Sequence, residues 1–345
     1  MSRTAVHVAV RDALSDLGDG DLVLVACSGG PDSLALAAAA AGLARPGSWR
    51  AGAVIVDHGW SAAAREAGEQ AVRTCRELGL DPVELVAVDS SGPGGPEGAA
   101  RTARYQALAE AAERHDAKAV LLGHTLDDQA ETVLLGLGRG SGARSLAGMA
   151  ARIGSYRRPF LGLTRATTVA ACAELGLEPW LDPANDDPAY TRVRVRQLAA
   201  ELERALGPGV VQALARSADL LRDDADALDE MAADLLVSAT EAAGAGELDV
   251  GVLKKAPAAI RRRALLAAAR DAGCPAGSLS HRHALALDGL LEAKAGARAD
   301  LPGGITARIE ARAGRDHRLC LGCGPSGRPG MGNLPSSPEE PNPRC

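Results

Sequence analysis

The segment Ala26-Cys27-Ser28-Gly29-Gly30-Pro31-Asp32-Ser33 constrains the fold more than any other, because it joins the apolar run Leu22 to Val25 to the helix-forming run Leu34 to Ala41. A strand, a glycine turn and a helix start in that order present backbone N–H groups and the positive end of a helix to phosphate oxygens. A phosphate loop of the kinase or GTPase type carries Gly-Lys-Ser/Thr, with its lysine on the terminal phosphates. This turn has no lysine and offers the hydroxyls of Ser28 and Ser33, the glycines Gly29 and Gly30, and the carboxylate of Asp32. Such a set suits a pyrophosphate that leaves, with Asp32 placed to hold Mg²⁺ against it, better than a phosphoryl group that is transferred. An ordinary glycine turn would require neither the serines nor the aspartate.

Four short β-rich runs, Leu22 to Ala26, Ala53 to Asp57, Val83 to Val88 and Ala119 to Gly123, alternate with helical patterns. Their spacing of roughly thirty residues is that of βαβ units, which build a parallel sheet with helices on both faces. In such a sheet the functional residues lie beyond the carboxyl ends of the strands. Ser28 onward, Asp57-His58-Gly59 and Gly123-His124 occupy three of those ends, and the fourth runs into a Ser/Gly/Pro stretch, Asp89 to Pro96, that reads as a flexible crossing loop. From about Val193 the chain changes to long Ala/Leu/Arg/Asp helices, with β-like segments around Ile305 to Ile309 and Arg318 to Leu321. The expectation is an α/β domain over 1–205, a smaller and mainly helical domain over 206–321, and a disordered tail over 322–345, where Pro, Gly and Ser leave too little apolar surface to order the chain.

Composition narrows the class of protein. A chain of 345 residues supports two cores. No apolar stretch approaches the length of a membrane span, and the N-terminus lacks a signal-peptide pattern, so no membrane is expected and the cytoplasm is. Seven scattered cysteines fit reduced thiols, and the lone Cys320/Cys323 pair has no partner cluster to complete a zinc site. A net charge of −6 argues against a protein that coats nucleic acid but allows a local basic face, and one Phe with three Tyr argue against a base-stacking sheet.

Polar residues concentrate in three further places. Gly123-His124-Thr125-Leu126-Asp127-Asp128-Gln129-Ala130-Glu131-Thr132 places Asp128 and Glu131 three apart on one helical face above His124. First-turn carboxylates are also good helix caps, which leaves the accompanying His, Gln and Thr unexplained. Glu97, Arg101 and Arg104 stand in register on another helix, as a solvated ion-pair row or as cations for developing phosphate charge. Arg192, Arg194 and Arg196 follow Trp180 to Asp187 at alternate positions, so one helical face cannot carry all three. With Arg261, Arg262 and Arg263 they are the candidate basic strips, the latter equally readable as a solvated charge run.

Together SGGPDS, VDHG, EGAARTARY, GHTLDDQAETVLLGLGRGSG, RRPFL and DPANDDPAYTRVRVR resemble the tRNA(Ile)-lysidine synthetase family of N-type ATP pyrophosphatases, over roughly the first two hundred residues. LPGGITARIE, near the end, is similar to that family's small substrate-recognition domain more loosely. The resemblance implies a parallel-sheet, adenine nucleotide alpha hydrolase-like domain that uses ATP and Mg²⁺ to adenylate the wobble cytidine of an isoleucine tRNA. Free L-lysine then displaces AMP. It implies ATP binding by Ser28, Gly29, Gly30, Pro31, Asp32, Ser33, Asp57 and His58, metal binding by Asp32 and Asp128, and lysine binding by Asp128 and Glu131. Asp32, Arg104, His124, Asp128, Arg192 and Arg196 are the implied catalytic set, with His124 or a carboxylate as base; Arg194, Arg196 and Arg261 to Arg263 are the implied tRNA contacts. A homodimer stays open. The chain departs from the family at Val193, where an asparagine is usual. The rival readings are a tRNA thiolase on the same scaffold, which would need catalytic-domain cysteine pairs not found here, and a non-catalytic ATP- or tRNA-binding module.

Overall fold

The computed structural model describes residues 1–323 apart from 46, 92–94, 141, 245 and 312–316. The chain divides into two compact units, the first over Met1–Asp223 and the second from Asp224 onward. That division falls later than the 205/206 boundary expected from composition, because a single helix of 34 residues, Val210–Ala243, runs through it.

In the first unit helix α1 (Ser2–Ala13) precedes the alternating series β1 (Leu22–Ala26), α2 (Pro31–Leu43), β2 (Arg50–Asp57), α3 (Ala62–Glu77), β3 (Val83–Ala87), α4 (Gly95–Arg114), β4 (Ala117–Leu122) and α5 (Leu126–Gly138). Then come the short α6 (Ala143–Leu146), the hairpin β5 (Arg152–Ile153) and β6 (Tyr156–Arg157), and α7 (Arg165–Glu174) and α8 (Thr191–Leu206). The four expected strands all form and pair in parallel, in the order β3-β2-β1-β4, and β6-β5 extend the edge beyond β4. The hairpin was not foreseen, since two residues per strand are too few to carry a period.

Strand β1 is buried along its whole length. Its alternation sends Val23, Val25 and Cys27 into one core and Leu22, Leu24 and Ala26 into the other, as expected where helices cover both faces. Helix α2 has no polar face from Leu34 to Ala40, and every residue there is buried, because α1 and α7 cover the side that the sheet leaves open. The order 3-2-1-4 reverses direction between β1 and β4. A crevice therefore opens beyond their carboxyl ends, and the loops after both strands flank it.

The second unit holds the end of α9 (Val210–Ala243), then β7 (Glu247–Asp249), α10 (Val250–Lys255), α11 (Ala258–Asp271), α12 (His281–Leu290), β8 (Arg298–Leu301), β9 (Ile305–Ala311) and β10 (His317–Cys323). The two β-like segments read from sequence are β9 and β10, the centre of a four-stranded antiparallel sheet ordered β7-β10-β9-β8. Leu253, Leu265, Leu287, Ile309 and Leu319 pack between that sheet and the helices. Gly322 and Cys323 belong to β10, so the ordered chain passes the expected tail boundary; residues 324–345 lie outside the described residues.

Candidate active site

The loop after β1 is shaped by its own side chains. Gly29 turns the chain at φ +80°, a conformation that glycine adopts without strain, and its carbonyl accepts the Trp180 N–H at 2.9 Å. Ser33 Oγ donates to the Gly30 carbonyl at 3.0 Å and accepts from the Ser28 N–H at 3.0 Å, with Ser28 Oγ at 3.2 Å. Pro31 opens α2 behind Gly30, and no side chain caps that end. The first-turn N–H groups of a 13-residue helix therefore face a cavity of about 610 Å³ lined by Ser28, Gly30, Pro31, Asp32 and Ser33.

Across this cavity lies the start of α5. Thr125 and Asp128 form a capping box: Asp128 Oδ2 accepts the Thr125 N–H and hydroxyl, each at 2.8 Å, and Thr125 Oγ1 accepts the Asp128 N–H. The cap reading of this motif is thus correct for one oxygen of Asp128, and the other faces the cavity. Gly123 lets the two loops meet. A Cβ there would stand 3.1 Å from the Asp32 carbonyl and 3.2 Å from the Ser33 nitrogen.

Arg165, which opens α7, joins the two sides. Its Nη2 donates to Asp128 Oδ1 at 2.7 Å, its Nη1 lies 3.6 Å from Glu131, and its Nε lies 3.5 Å from Asp32 Oδ2. Its backbone N–H donates to Asp127 Oδ2 at 2.7 Å. Thr168, one turn further on, donates its hydroxyl to the second oxygen of Asp32. Neither Arg165 nor Thr168 was marked in the sequence, since a single arginine and threonine after RRPFL carry no pattern.

Glu131 is 2 % exposed. One oxygen accepts from Arg196 Nε at 2.9 Å, while Oε2 has no partner and its carboxylate lines the cavity. Burial pushes the Glu131 carboxyl up from its usual range, and does the same to Asp32. Burial drives His124 down to about 3, so its imidazole is neutral at physiological pH, and its Nδ1 also lacks a partner. A group that weakly basic accepts a hydrogen bond but is a poor proton acceptor, which moves the expected role of base toward the carboxylates.

The other expected residues divide by location. Arg192 and Arg196, one turn apart on α8, both line the cavity; Arg194 points elsewhere and ties down the carbonyls of Pro188 and Ala189 at 2.6 and 2.9 Å. Arg104 lines this cavity and a smaller one of about 140 Å³, formed by Val54 to His58, Trp60, Ala64 and Gly68. Here Asp57 accepts the Gly59 N–H at 2.8 Å and pairs with Arg65 at 3.3 Å, and the His58 ring stacks on Trp60 with centroids 5.2 Å apart. Arg101 lies over the Tyr105 ring, 5.0 Å from its centroid; the Glu97 side chain, its expected partner, is outside the described residues. In the second unit Arg261 and Arg262 clamp the two oxygens of Asp288 at 2.6 and 2.7 Å, and Arg263 pairs with Asp229 at 2.5 Å. Two carboxylates of its own domain thus offset part of the charge of that strip. Cys27, which appeared isolated in sequence, is a buried free thiol that donates to Ser33 Oγ at 3.8 Å.

Among the described residues no helix is long and apolar enough to cross a membrane. A lysine-free phosphate loop at the switch point of a parallel sheet, facing a cluster of acids, defines a nucleotide-binding α/β protein, and the PP-loop domain family matches residues 4–202. The tRNA(Ile)-lysidine synthase of Thermobifida fusca strain YX is 55% identical over 316 residues, covering 90% of this chain and 94% of that protein. Its counterpart in Streptomyces coelicolor is 54% identical over 292 residues, 83% of this chain and 82% of that one. This chain belongs to the tRNA(Ile)-lysidine synthase family, and its first unit is a PP-loop ATP-binding domain. Among solved structures, the U34-tRNA thiolase NcsA from Methanococcus maripaludis has a similar fold, with a TM-score of 0.54 at 21% identity over 64% of this chain and 79% of that one.

Proposed function

We propose that this chain is a carbon–nitrogen ligase that joins L-lysine to carbon 2 of the wobble cytidine of an isoleucine tRNA, acting in the cytoplasm. The observation that carries this reading is the convergence of Asp32, Asp128 and Glu131 on one cation, Arg165, beside an uncapped helix N-terminus. An acid cluster of this kind serves an ammonium substrate, and the helix end serves a polyphosphate.

The carbonyl oxygen of cytidine attacks the α-phosphate of ATP, and the bond to pyrophosphate breaks. Ser28, Gly29, Gly30, Pro31 and Ser33 cradle the departing pyrophosphate, and Arg104 and Arg192 offset the charge that develops on the α-phosphate. Asp57 and His58 belong to the wall of the smaller cavity, which suits the adenosine end. Asp32 Oδ2 and Asp128 Oδ1 are hard donors that already face a cation, so they fit Mg²⁺ and would hold it. When bound, the ion neutralises charge on the phosphates.

In the second step the lysine side-chain amine attacks carbon 2, the carbon–oxygen bond breaks and AMP leaves. Asp128 and Glu131 seat the ammonium, and the unpartnered Oε2 of Glu131 accepts its proton; burial has raised the basicity of this carboxylate. His124 stays neutral and contributes a hydrogen-bond acceptor. Arg194 and Arg196 serve the tRNA side, and Arg196 also orients Glu131 in the lysine seat. The paired Arg261 to Arg263 are assigned to their own domain.

The test incubates the protein with ATP, Mg²⁺ and the cytidine-bearing tRNA, with and without lysine. AMP and pyrophosphate in equal amounts are expected, with the tRNA gaining the mass of lysine less one water only when lysine is present. Incorporation of sulfur, or ATP binding without turnover, would sink the reading in favour of a thiolase or a binding module.

A further inference from the structure

Arg165 stands where substrate cations belong. Its guanidinium holds Asp128 Oδ1 at 2.7 Å, and Asp32 and Glu131 at 3.5 and 3.6 Å. Two of those carboxylates are the ones assigned to the lysine ammonium, and two are assigned to Mg²⁺. The guanidinium fills the space between these carboxylates, so an ammonium cannot take its place among the same oxygens while Arg165 is there. Lysine therefore docks only after the Arg165 side chain has left.

Polyphosphate can draw the side chain away. Arg165 lines the same cavity as Ser28, Gly30 and Ser33, so polyphosphate seated on the loop lies within its reach. A planar guanidinium binds phosphate oxygens bidentately, so polyphosphate offers Arg165 new anionic partners in place of the carboxylates it leaves. The backbone cannot follow. The Arg165 N–H is held by Asp127 at 2.7 Å, the neighbouring Leu163 carbonyl accepts the Leu126 N–H at 2.9 Å, and Thr164 caps α7 by accepting the Thr167 N–H. Only the side chain is free to swing.

We propose that Arg165 is a positioning residue that enforces binding order. Without nucleotide it neutralises Asp32, Asp128 and Glu131 and blocks the ammonium site; polyphosphate pulls it onto the phosphates and so opens the site to lysine. This rests on the reading of Asp128 and Glu131 as the lysine seat. It extends that reading by coupling the two substrates through one side chain, and by linkage lysine must tighten nucleotide binding by the same factor.

Calorimetric titration of lysine into the protein, with and without Mg²⁺ and the non-cleavable α,β-methylene analogue of ATP, tests the coupling. Wild type is expected to bind lysine at least ~10-fold tighter with the analogue present, within the usual range of coupling between sites. In Arg165→Ala lysine binds without nucleotide and the ratio falls toward ~1. Arg165→Lys, which keeps the charge that offsets the three acids, controls for misfolding; it loses the bidentate grip and reduces the ratio. Equal lysine affinity in wild type with and without the analogue overturns the proposal, as does a ratio unchanged in both variants, while lysidine formation in those same preparations would leave the functional reading standing. Failure of lysine to bind in any state overturns the proposal, and absence of lysidine in the same preparations overturns the functional reading as well.

Discussion

A buried histidine and a buried glutamate show how far a residue's chemistry depends on neighbours that its sequence position does not reveal. His124 marks the site in the sequence, but only the structure shows that burial drives it down to about 3. The unfolded chain titrates near 6.5 and the folded chain near 3, so the unfolded state binds more protons in between, and stability falls as pH drops through that window. His124→Asn should flatten the pH dependence between about 6.5 and 4 in urea melts; an unchanged slope would place the acid sensitivity elsewhere. Glu131 has the opposite sign, its raised carboxyl costing stability above its unfolded pKa. Glu131→Gln keeps an acceptor for Arg196 and removes the charge, so the KM for lysine should rise about tenfold or more, roughly 1.4 kcal/mol of lost binding, while the melting temperature holds or rises. An unchanged KM for lysine would remove Glu131 from the substrate seat. Arg165 was invisible because its role is defined by three carboxylates that sit 133, 37 and 34 positions earlier, and no local pattern encodes such a meeting.

At the level of elements the sequence was most legible where one period dominates. Strands β1 to β4 are short apolar runs punctuated by turn residues and could be read directly, and the first-turn carboxylates of α5 were legible as caps, whereas the part of Thr125 in that cap emerged only in the structure. The β5-β6 hairpin, β7 and β8 were missed because runs of two to four residues lie below the length at which alternation is detectable. Legible motifs still do not reveal how closely their elements approach. Gly123 looks like an ordinary strand end, yet it sets the separation of β4 from the first turn of α2. Gly123→Ala would press a methyl group against the Asp32 backbone, which must yield by a few tenths of an ångström. The expected outcome is a kcat for pyrophosphate release lowered about 100-fold, the scale at which small misplacements act, with a loss of about 1–3 kcal/mol in stability from overpacking. Wild-type turnover would mean that the loop tolerates the shift.

At the scale of the whole molecule, composition led to an expected boundary at 205/206 through a change of residue usage, whereas contacts divide the chain between Asp223 and Asp224. Helix α9 is one continuous amphipathic stretch of 34 residues, and the dividing point falls within it, where no glycine or proline signals a break. The C-terminal end is the complementary case. A fall in apolar content after Leu321 suggested that ordered structure stops there, but β10 continues to Cys323, since backbone pairing with Thr306 and Ile305 does not depend on apolar side chains. Strand β10 is central in its sheet, bonded to both β7 and β9, and carries Leu319, which is fully buried. Two truncations therefore separate sharply. Ending the chain at Cys323 should leave the melting curve and adenylation unchanged, because the residues removed are poor in apolar surface. Ending it before His317 leaves β7 and β9 without their shared partner, exposes the core formed by Leu248, Ile309 and Leu287, and should abolish cooperative unfolding of the second unit while the PP-loop unit still binds the ATP analogue. Limited proteolysis with nucleotide-binding measurements checks both; loss of nucleotide binding in the shorter form would mean that the first unit depends on the second for its fold.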